Sequence, residues 1–201
     1  AVSEVMLAAR ITPWTPTDFT IMFVMWAVMM VAMMLPGATP MILLFATVNR
    51  RRETQGAVVA PTAVFAAGYV AIWGLFSLGA TGLQWALHRG GLLSPMMATT
   101  STVLGGVVLL LSGVYQWTPL KRTCLTLCRS PIRFIIQHWQ PGRAGAFRMG
   151  RNHGLYCLGC CWFLMCLLFV GGIMNLVWIA GLAIFVLLEK VLPVQEVPRV
   201  S

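Results

Sequence analysis

Two stretches of this chain concentrate side chains that bind soft metals. His153-Gly-Leu-Tyr-Cys157-Leu-Gly-Cys160-Cys161 offers one imidazole and three thiols, and Cys124-Leu-Thr-Leu-Cys128 adds two thiols four residues apart. On a helix that turns 100° per residue, His153, Cys157 and Cys160 fall within about 60° of arc, with Cys161 only slightly further round. One helix can therefore aim an imidazole and two or three thiols at a single point. Such donors suit Cu(I) and Zn(II), and the small Gly154 and Gly159 leave room for close approach. A fourth ligand is available from Cys124 or Cys128. The same residues admit two other readings. Free cysteine is a small buried hydrophobe, the simplest account of Cys166, and Cys157-Leu-Gly-Cys160 has the spacing of thiol–disulfide exchange, without the βαβ context that usually accompanies it.

A second soft-donor feature lies far away in the sequence. "MFVMWAVMMVAMML" places six methionines in residues 22–34, and Met22, Met25, Met29 and Met33 share one helical stripe flanked by Met30 and Met34. Thioethers favour Cu(I) over harder ions, so a methionine-lined path toward a Cys/His site makes physical sense, with Met29 and Met33 as the expected ligands. Methionine also packs well into irregular helix interfaces, which requires no metal at all.

These donors must be positioned by apolar helices. The 201 residues are 59% hydrophobic and 9% charged, with a mean hydropathy of +0.83, against roughly 25% charged residues in soluble domains. The composition predicts an all-α, polytopic transmembrane bundle forming one integral membrane domain over residues 1–201, with no space for a separate soluble catalytic domain. The formal charge of +9 is then a matter of positive-inside topology, and nucleic acid is not an expected partner. The expected surroundings are the lipid bilayer and other membrane subunits.

Five spans are expected, at residues 19–48, 58–87, 96–117, 155–170 and 173–190. The first begins after Asp18, read as an N-cap, and is expected to break or kink at Leu35-Pro-Gly-Ala-Thr-Pro40 before the basic Arg50–Arg52. Irregular backbone at that depth, where a transporter would bind its substrate, is the alternative to a plain proline kink. Residues 119–152 form a cytoplasmic loop: Lys121–Arg151 holds seven Lys/Arg, each costing about 2.5–3.5 kcal/mol at a bilayer centre. Ser130-Pro131 starts an amphipathic interfacial helix in this loop, with Ile132, Ile135, Ile136 and Trp139 at helical spacing and Pro141-Gly142 as its stop. Basic segments on the inside put the C-terminus in the cytoplasm of a bacterial inner membrane. The first five cysteines then fall near the cytoplasmic interface, where structural disulfides are disfavoured.

Other features narrow the function. No Asp, Glu, Lys or Arg stands in the central part of a predicted span, and Glu189-Lys190 marks a helix end where the two charges pair or snorkel. Ion coupling through a buried carboxylate is thus poorly supported. Phosphate-binding glycine loops, nucleophile elbows and HExxH motifs are missing. Trp14, Trp85, Trp117 and Trp139 fit an interfacial belt, as do His88 and His138, and Tyr115-Gln116 is placed to support a metal site by hydrogen bonding. Before residue 18 there is no basic-then-apolar leader pattern, which leaves open a processed segment ahead of residue 1.

The stretches "MWAVMMVAMMLPGATP", "GVYQWTPLKRTCLTLCRSP", "GRNHGLYCLGCCWFLM" and "GGIMNLVWIAGLAIFVLLEK" resemble a bacterial family of predicted metal-binding integral membrane proteins, domain of unknown function 2182, from about Asp18 to Lys190. The resemblance implies a helical membrane protein with a metal site and a further apolar segment ahead of Trp14. It implies no reaction. The leading expectation is therefore a non-enzymatic protein that handles or delivers copper(I), with zinc as the other candidate, through His153, Cys157 and Cys160 completed by Cys161, Cys124 or Cys128. A subunit of a respiratory, photosynthetic or monooxygenase complex with a structural metal is the alternative, and a membrane thiol oxidoreductase the third reading.

Overall fold

A computed structural model describes residues 14–54, 56, 60–93 and 99–192. Among these the chain forms α1 (Pro16–Glu53), α2 (Thr62–Arg89), α3 (Thr102–Gln116), α4 (Pro119–Arg129), α5 (Pro131–His138), α6 (Gly142–Cys166), α7 (Leu168–Gly171) and α8 (Leu176–Val191). The described residues contain no strand, only an isolated bridge between Leu93 and Thr99. The first residues of the expected second and third spans, 58–59 and 96–98, lie outside the described residues, as does residue 1 onward to 13.

The helix starts are chemically legible, with one correction. Asp18 is not the N-cap of α1. Thr15 is: its hydroxyl accepts from the Asp18 N–H at 3.3 Å while the Asp18 carboxylate accepts from the Thr15 N–H at 2.8 Å, a reciprocal capping box. Ser101, Thr118 and Asn175 cap α3, α4 and α8 one way only, each side chain accepting from the N–H three residues on.

The expected break at Leu35–Pro40 is also corrected. Helix α1 runs through Pro36 and Pro40 without interruption for 38 residues. A proline deprives a carbonyl one turn earlier of its donor, and side chains supply donors to this part of the helix. Thr39 Oγ1 donates to the Leu35 carbonyl at 3.0 Å and the Tyr69 hydroxyl to the Met34 carbonyl at 3.1 Å. The Thr39 bond lies within α1, and the Tyr69 bond ties this segment to α2.

Three helical segments are long and apolar enough to cross a membrane, Pro16–Glu53, Thr62–Arg89 and Gly142–Gly171; a fourth is possible if α3 and α4, bent by 65°, count as one broken span. The third expected span is represented by only 15 helical residues before that bend. The fifth corresponds to α8, whose 16 residues measure about 24 Å, short of the ~20 residues that a 30 Å hydrocarbon core asks for. The expected loop 119–152 is largely helical too: α4 and α5 fill its first half, and α6 begins at Gly142, so His153 and the cysteines continue a helix already two to three turns long. The amphipathic helix is present as α5, with Phe134 and Ile135 buried and Ile132 and Ile136 exposed.

Two buried clusters hold these elements together. One gathers Trp26, Met30, Met33 and Met34 of α1, Tyr69 and Trp73 of α2, Cys128 of α4, and Cys157, Cys160, Cys161 and Met165 of α6. The other joins Met41 and Phe45 of α1 and Phe65 of α2 to Phe134 and Ile135 of α5 and Ala146 and Met149 of α6. The α2–α6 pair is the most extensive packing in the chain, and glycines make it possible. A Cβ on Gly68 would strike the Phe147 carbonyl, one on Gly150 the Phe65 carbonyl, and one on Gly154 would lie 3.0 Å from Ile72. Gly150 and Gly154 are four residues apart and so stack on one face, the small-xxx-small pattern of close membrane helices.

The last turn of α8 is tied to α4. Glu189 pairs with Lys121 at 2.8 Å, Gln116 also accepts from that ammonium, and the Arg129 guanidinium donates to the Glu189 carbonyl. Glu189 and Lys190 therefore do not pair with each other. Lys121 is 3% exposed, so removing its carboxylate strands a charge away from water. Glu189→Ala is expected to cost on the order of 3 kcal/mol, read as a lower thermal midpoint of the detergent-purified protein.

Candidate metal centre

Helix α6 delivers the predicted donors as the spacing requires. His153, Cys157, Cys160 and Cys161 all point inward and are 1–2% exposed. Helix α4 brings Cys128 to the same place, where its thiol neighbours those of Cys157 and Cys160. Cys157 in turn neighbours Cys160 and Cys161. Four thiols from two helices thus share one buried site. Two of them are turned toward one acceptor: Cys160 Sγ donates to the Cys157 carbonyl at 3.0 Å and Cys161 Sγ to the same carbonyl at 2.8 Å. All six cysteines are free.

Cys124 takes a different place. It is half-buried and packs over Gly159, where an added Cβ would come within 2.8 Å of its sulfur. One helical turn separates it from Cys128, so α4 presents one thiol to the cluster and leans the other on its rim. Tyr115 at the end of α3 donates to the Gly159 carbonyl, so the expected hydrogen-bonding support from this residue reaches the backbone between the cysteines. Cys166 is half-buried, nine residues beyond Cys157.

The methionine that meets the thiols is Met34. Its sulfur lies 3.9 Å from Cys161 Sγ, whereas Met33 is buried in the surrounding core and Met29 packs against that core half-buried. Met22, at the other end of the stripe, accepts from Gln84 Nε2 at 3.7 Å, and Gln84 Oε1 accepts from Trp26 Nε1 at 2.6 Å. The stripe chosen from periodicity is thus rotated by about one residue from the face that α2 and α6 cover, because the pattern of one helix does not specify where its neighbours lie.

His153 is the least conventional member. It is 1% exposed, and neither ring nitrogen has a hydrogen-bond partner. Phe65, Tyr69 and Phe134 surround the ring at centroid distances of 6.3, 5.7 and 5.4 Å. A buried imidazole ordinarily satisfies at least one nitrogen, since an unmade hydrogen bond costs about 1–3 kcal/mol. His138 instead stacks on Phe134, and His88 lies by Trp14, neither of them at the thiols.

Three residues that sequence reading passed over complete the site. Tyr69 Oη stands 3.1 Å from Cys157 Sγ, and Lys190 Nζ stands 3.1 Å from the same sulfur and 3.7 Å from Met34 Sδ. Gly37, inside α1, leaves the space through which the lysine passes. A lysine at the end of an apolar helix gives little warning of this, because such residues usually extend toward water.

Among the described residues no three His, Cys, Asp or Glu side chains already converge as a metal cage. The donor set nevertheless fits a soft ion: Cys157 and Cys160 neighbour each other and both Cys128 and Cys161, and one thioether and an imidazole without a hydrogen-bond partner add further soft donors. A family model described as a copper chaperone, PpoB2, matches residues 23–199 of the chain. No curated protein and no solved structure matches it.

Proposed function

The chain belongs to the PpoB2 copper chaperone family, and from that premise we propose that it receives Cu(I) in a bacterial inner membrane, holds it on the thiols of Cys157 and Cys160, and passes it on unchanged. Cu(I) is the cargo. The observation that carries the reading is the buried meeting of Cys128, Cys157, Cys160 and Cys161 with the Met34 thioether. Cu(I) is satisfied by two or three soft donors, whereas structural Zn(II) takes four in a tetrahedron, so a sulfur-rich set with spare members favours copper. The spare members also suit delivery. A metal bound by two thiolates moves when a third thiolate attacks and one of the first two leaves, so extra thiols within reach lower the barrier to transfer. Each thiol loses a proton as it binds and regains one as it releases, and the copper stays monovalent throughout.

His153 enters this scheme as a candidate third ligand, one helical turn from Cys157, with nitrogen lone pairs that no other group uses. Cys161 and Cys128 are the other candidates. Cys124, on the rim by Gly159, is placed to receive or present the metal rather than to hold it. The bilayer covers the exposed apolar side chains of α3, among them Val103, Leu110 and Val114, and the basic stretch from Lys121 to Arg151, with the C-terminus, faces the cytoplasm. The test is elemental analysis of protein purified from cells without added metal. Roughly one copper per chain is expected; copper at background levels, in protein that takes up none from a Cu(I) chelate, overturns the reading.

A further inference from the structure

The last turn of α8 sends two adjacent charges in opposite directions. Glu189 turns outward to Lys121 of α4, and the Arg129 guanidinium holds its carbonyl. Lys190 turns inward. Its side chain crosses α1 at Gly37, where a Cβ would lie 2.7 Å from the lysine Cδ and 3.2 Å from Nζ, and it ends against Cys157 Sγ and Met34 Sδ. Leu35-Pro-Gly-Ala-Thr-Pro40 is therefore not a broken binding segment. Its glycine is a notch through which an ammonium reaches the thiols.

A lysine in that position is unexpected in a cation site, and charge arithmetic gives it a purpose. Two thiols that bind Cu(I) release two protons, leaving a complex of net charge −1. A net charge away from water is costly unless paired. An ammonium beside the sulfur brings the total to zero. Zn(II) on the same two thiolates is already neutral, so the lysine leaves it at +1, and it regains neutrality only by taking a third thiolate. The same ammonium thus supports one ion and opposes the other, a specificity made partly of repulsion.

We propose that Lys190, threaded past Gly37, is the counter-cation of a two-thiolate Cu(I) complex and sets the site's preference for a monovalent over a divalent metal. This rests on the assignment of the thiols as a copper site. Lys190 acts through charge and needs no bond to the metal.

The experiment uses the full chain in detergent, reduced and stripped of metal, equilibrated without oxygen against equal amounts of Cu(I) and Zn(II) and then desalted for elemental analysis. Wild-type protein retains mainly copper. Lys190→Met lowers the copper-to-zinc ratio by about tenfold or more, and Lys190→Arg, which keeps the charge, stays near wild type. Gly37→Val shifts the ratio in the same direction as Lys190→Met, because the atoms nearest the new Cβ are the flexible end of the lysine, Cδ at 2.7 Å and Nζ at 3.2 Å, which it displaces. Wild-type ratios in both Lys190→Met and Gly37→Val, with copper still bound, overturn the lysine's role. Wild-type protein that takes up neither metal overturns the copper assignment itself, and with it this proposal.

Discussion

Cys157→Ser with Cys160→Ser is expected to abolish copper retention while leaving the protein folded. Both thiols are 2% exposed or less and neighbour each other and Cys128, so their loss removes the two donors nearest every other candidate ligand. Serine is close to cysteine in size and can keep the hydrogen bond that Cys160 makes to the Cys157 carbonyl, so the packing of α6 is conserved. A hydroxyl is a hard, weak donor for Cu(I). Removing a supporting group around a metal commonly costs 10–100-fold in affinity, and losing two direct ligands is expected to exceed about a hundredfold. Copper content by elemental analysis, with helical content and thermal midpoint measured in parallel, distinguishes loss of ligands from loss of fold. Unchanged copper in a folded double variant would remove the thiols from the mechanism. The single variant Cys124→Ser, by contrast, changes transfer to an acceptor more than retention, because that thiol sits on the rim over Gly159.

The second large effect acts on the fold beneath the site. Gly150→Val drives its side chain into the Phe65 carbonyl, a backbone atom in the interior of α2 that cannot move without its helix. Overpacking costs typically 1–3 kcal/mol, and here both sides of the contact are backbone, so about 3 kcal/mol or more is expected. The consequence reaches the thiols. Separating α2 from α6 withdraws Tyr69 from Cys157 and removes Phe65 and Tyr69 from around His153. A lower thermal midpoint and reduced copper retention should therefore appear together. Gly74→Ala, whose Cβ meets nothing within 4 Å, is the control, expected to stay within about 0.5 kcal/mol of wild type. Equal stability of the Gly150 and Gly74 variants would mean that α2 and α6 do not approach as closely as described.

The helical class, the presence of helices apolar enough to cross a membrane and the burial of His153, Cys157 and Cys160 on one face were legible in the sequence. Hydropathy alone demands helices, since each backbone polar group in lipid must be satisfied within its own segment. The 100° periodicity that puts His153, Cys157 and Cys160 on one face is a property of α6 by itself, and all three are buried. The start Ser130-Pro131 was readable too, whereas Pro141-Gly142, read as the stop of α5, instead opens α6, and α5 already ends at His138. Where such local rules failed, a neighbour intervened. Thr39 and Tyr69 supply donors where the prolines of α1 suggested a break, and seven basic residues that read as a loop are accommodated on α4, α5 and α6.

What the chain by itself determined, then, was the chemistry on offer: soft donors, their helical faces and an apolar setting for them. Which donors meet was decided by helix packing, which depends on contacts between residues far apart in sequence. Cys128 rather than Cys124 enters the cluster and Met34 rather than Met29 or Met33 touches it, because α4 is oriented by its packing against α6 and α1 chiefly by its packing against α2. Lys190 reaches Cys157 only because Gly37, 153 positions earlier, leaves the space. No periodicity within either helix could have paired them, since the pairing exists only in the interface they form.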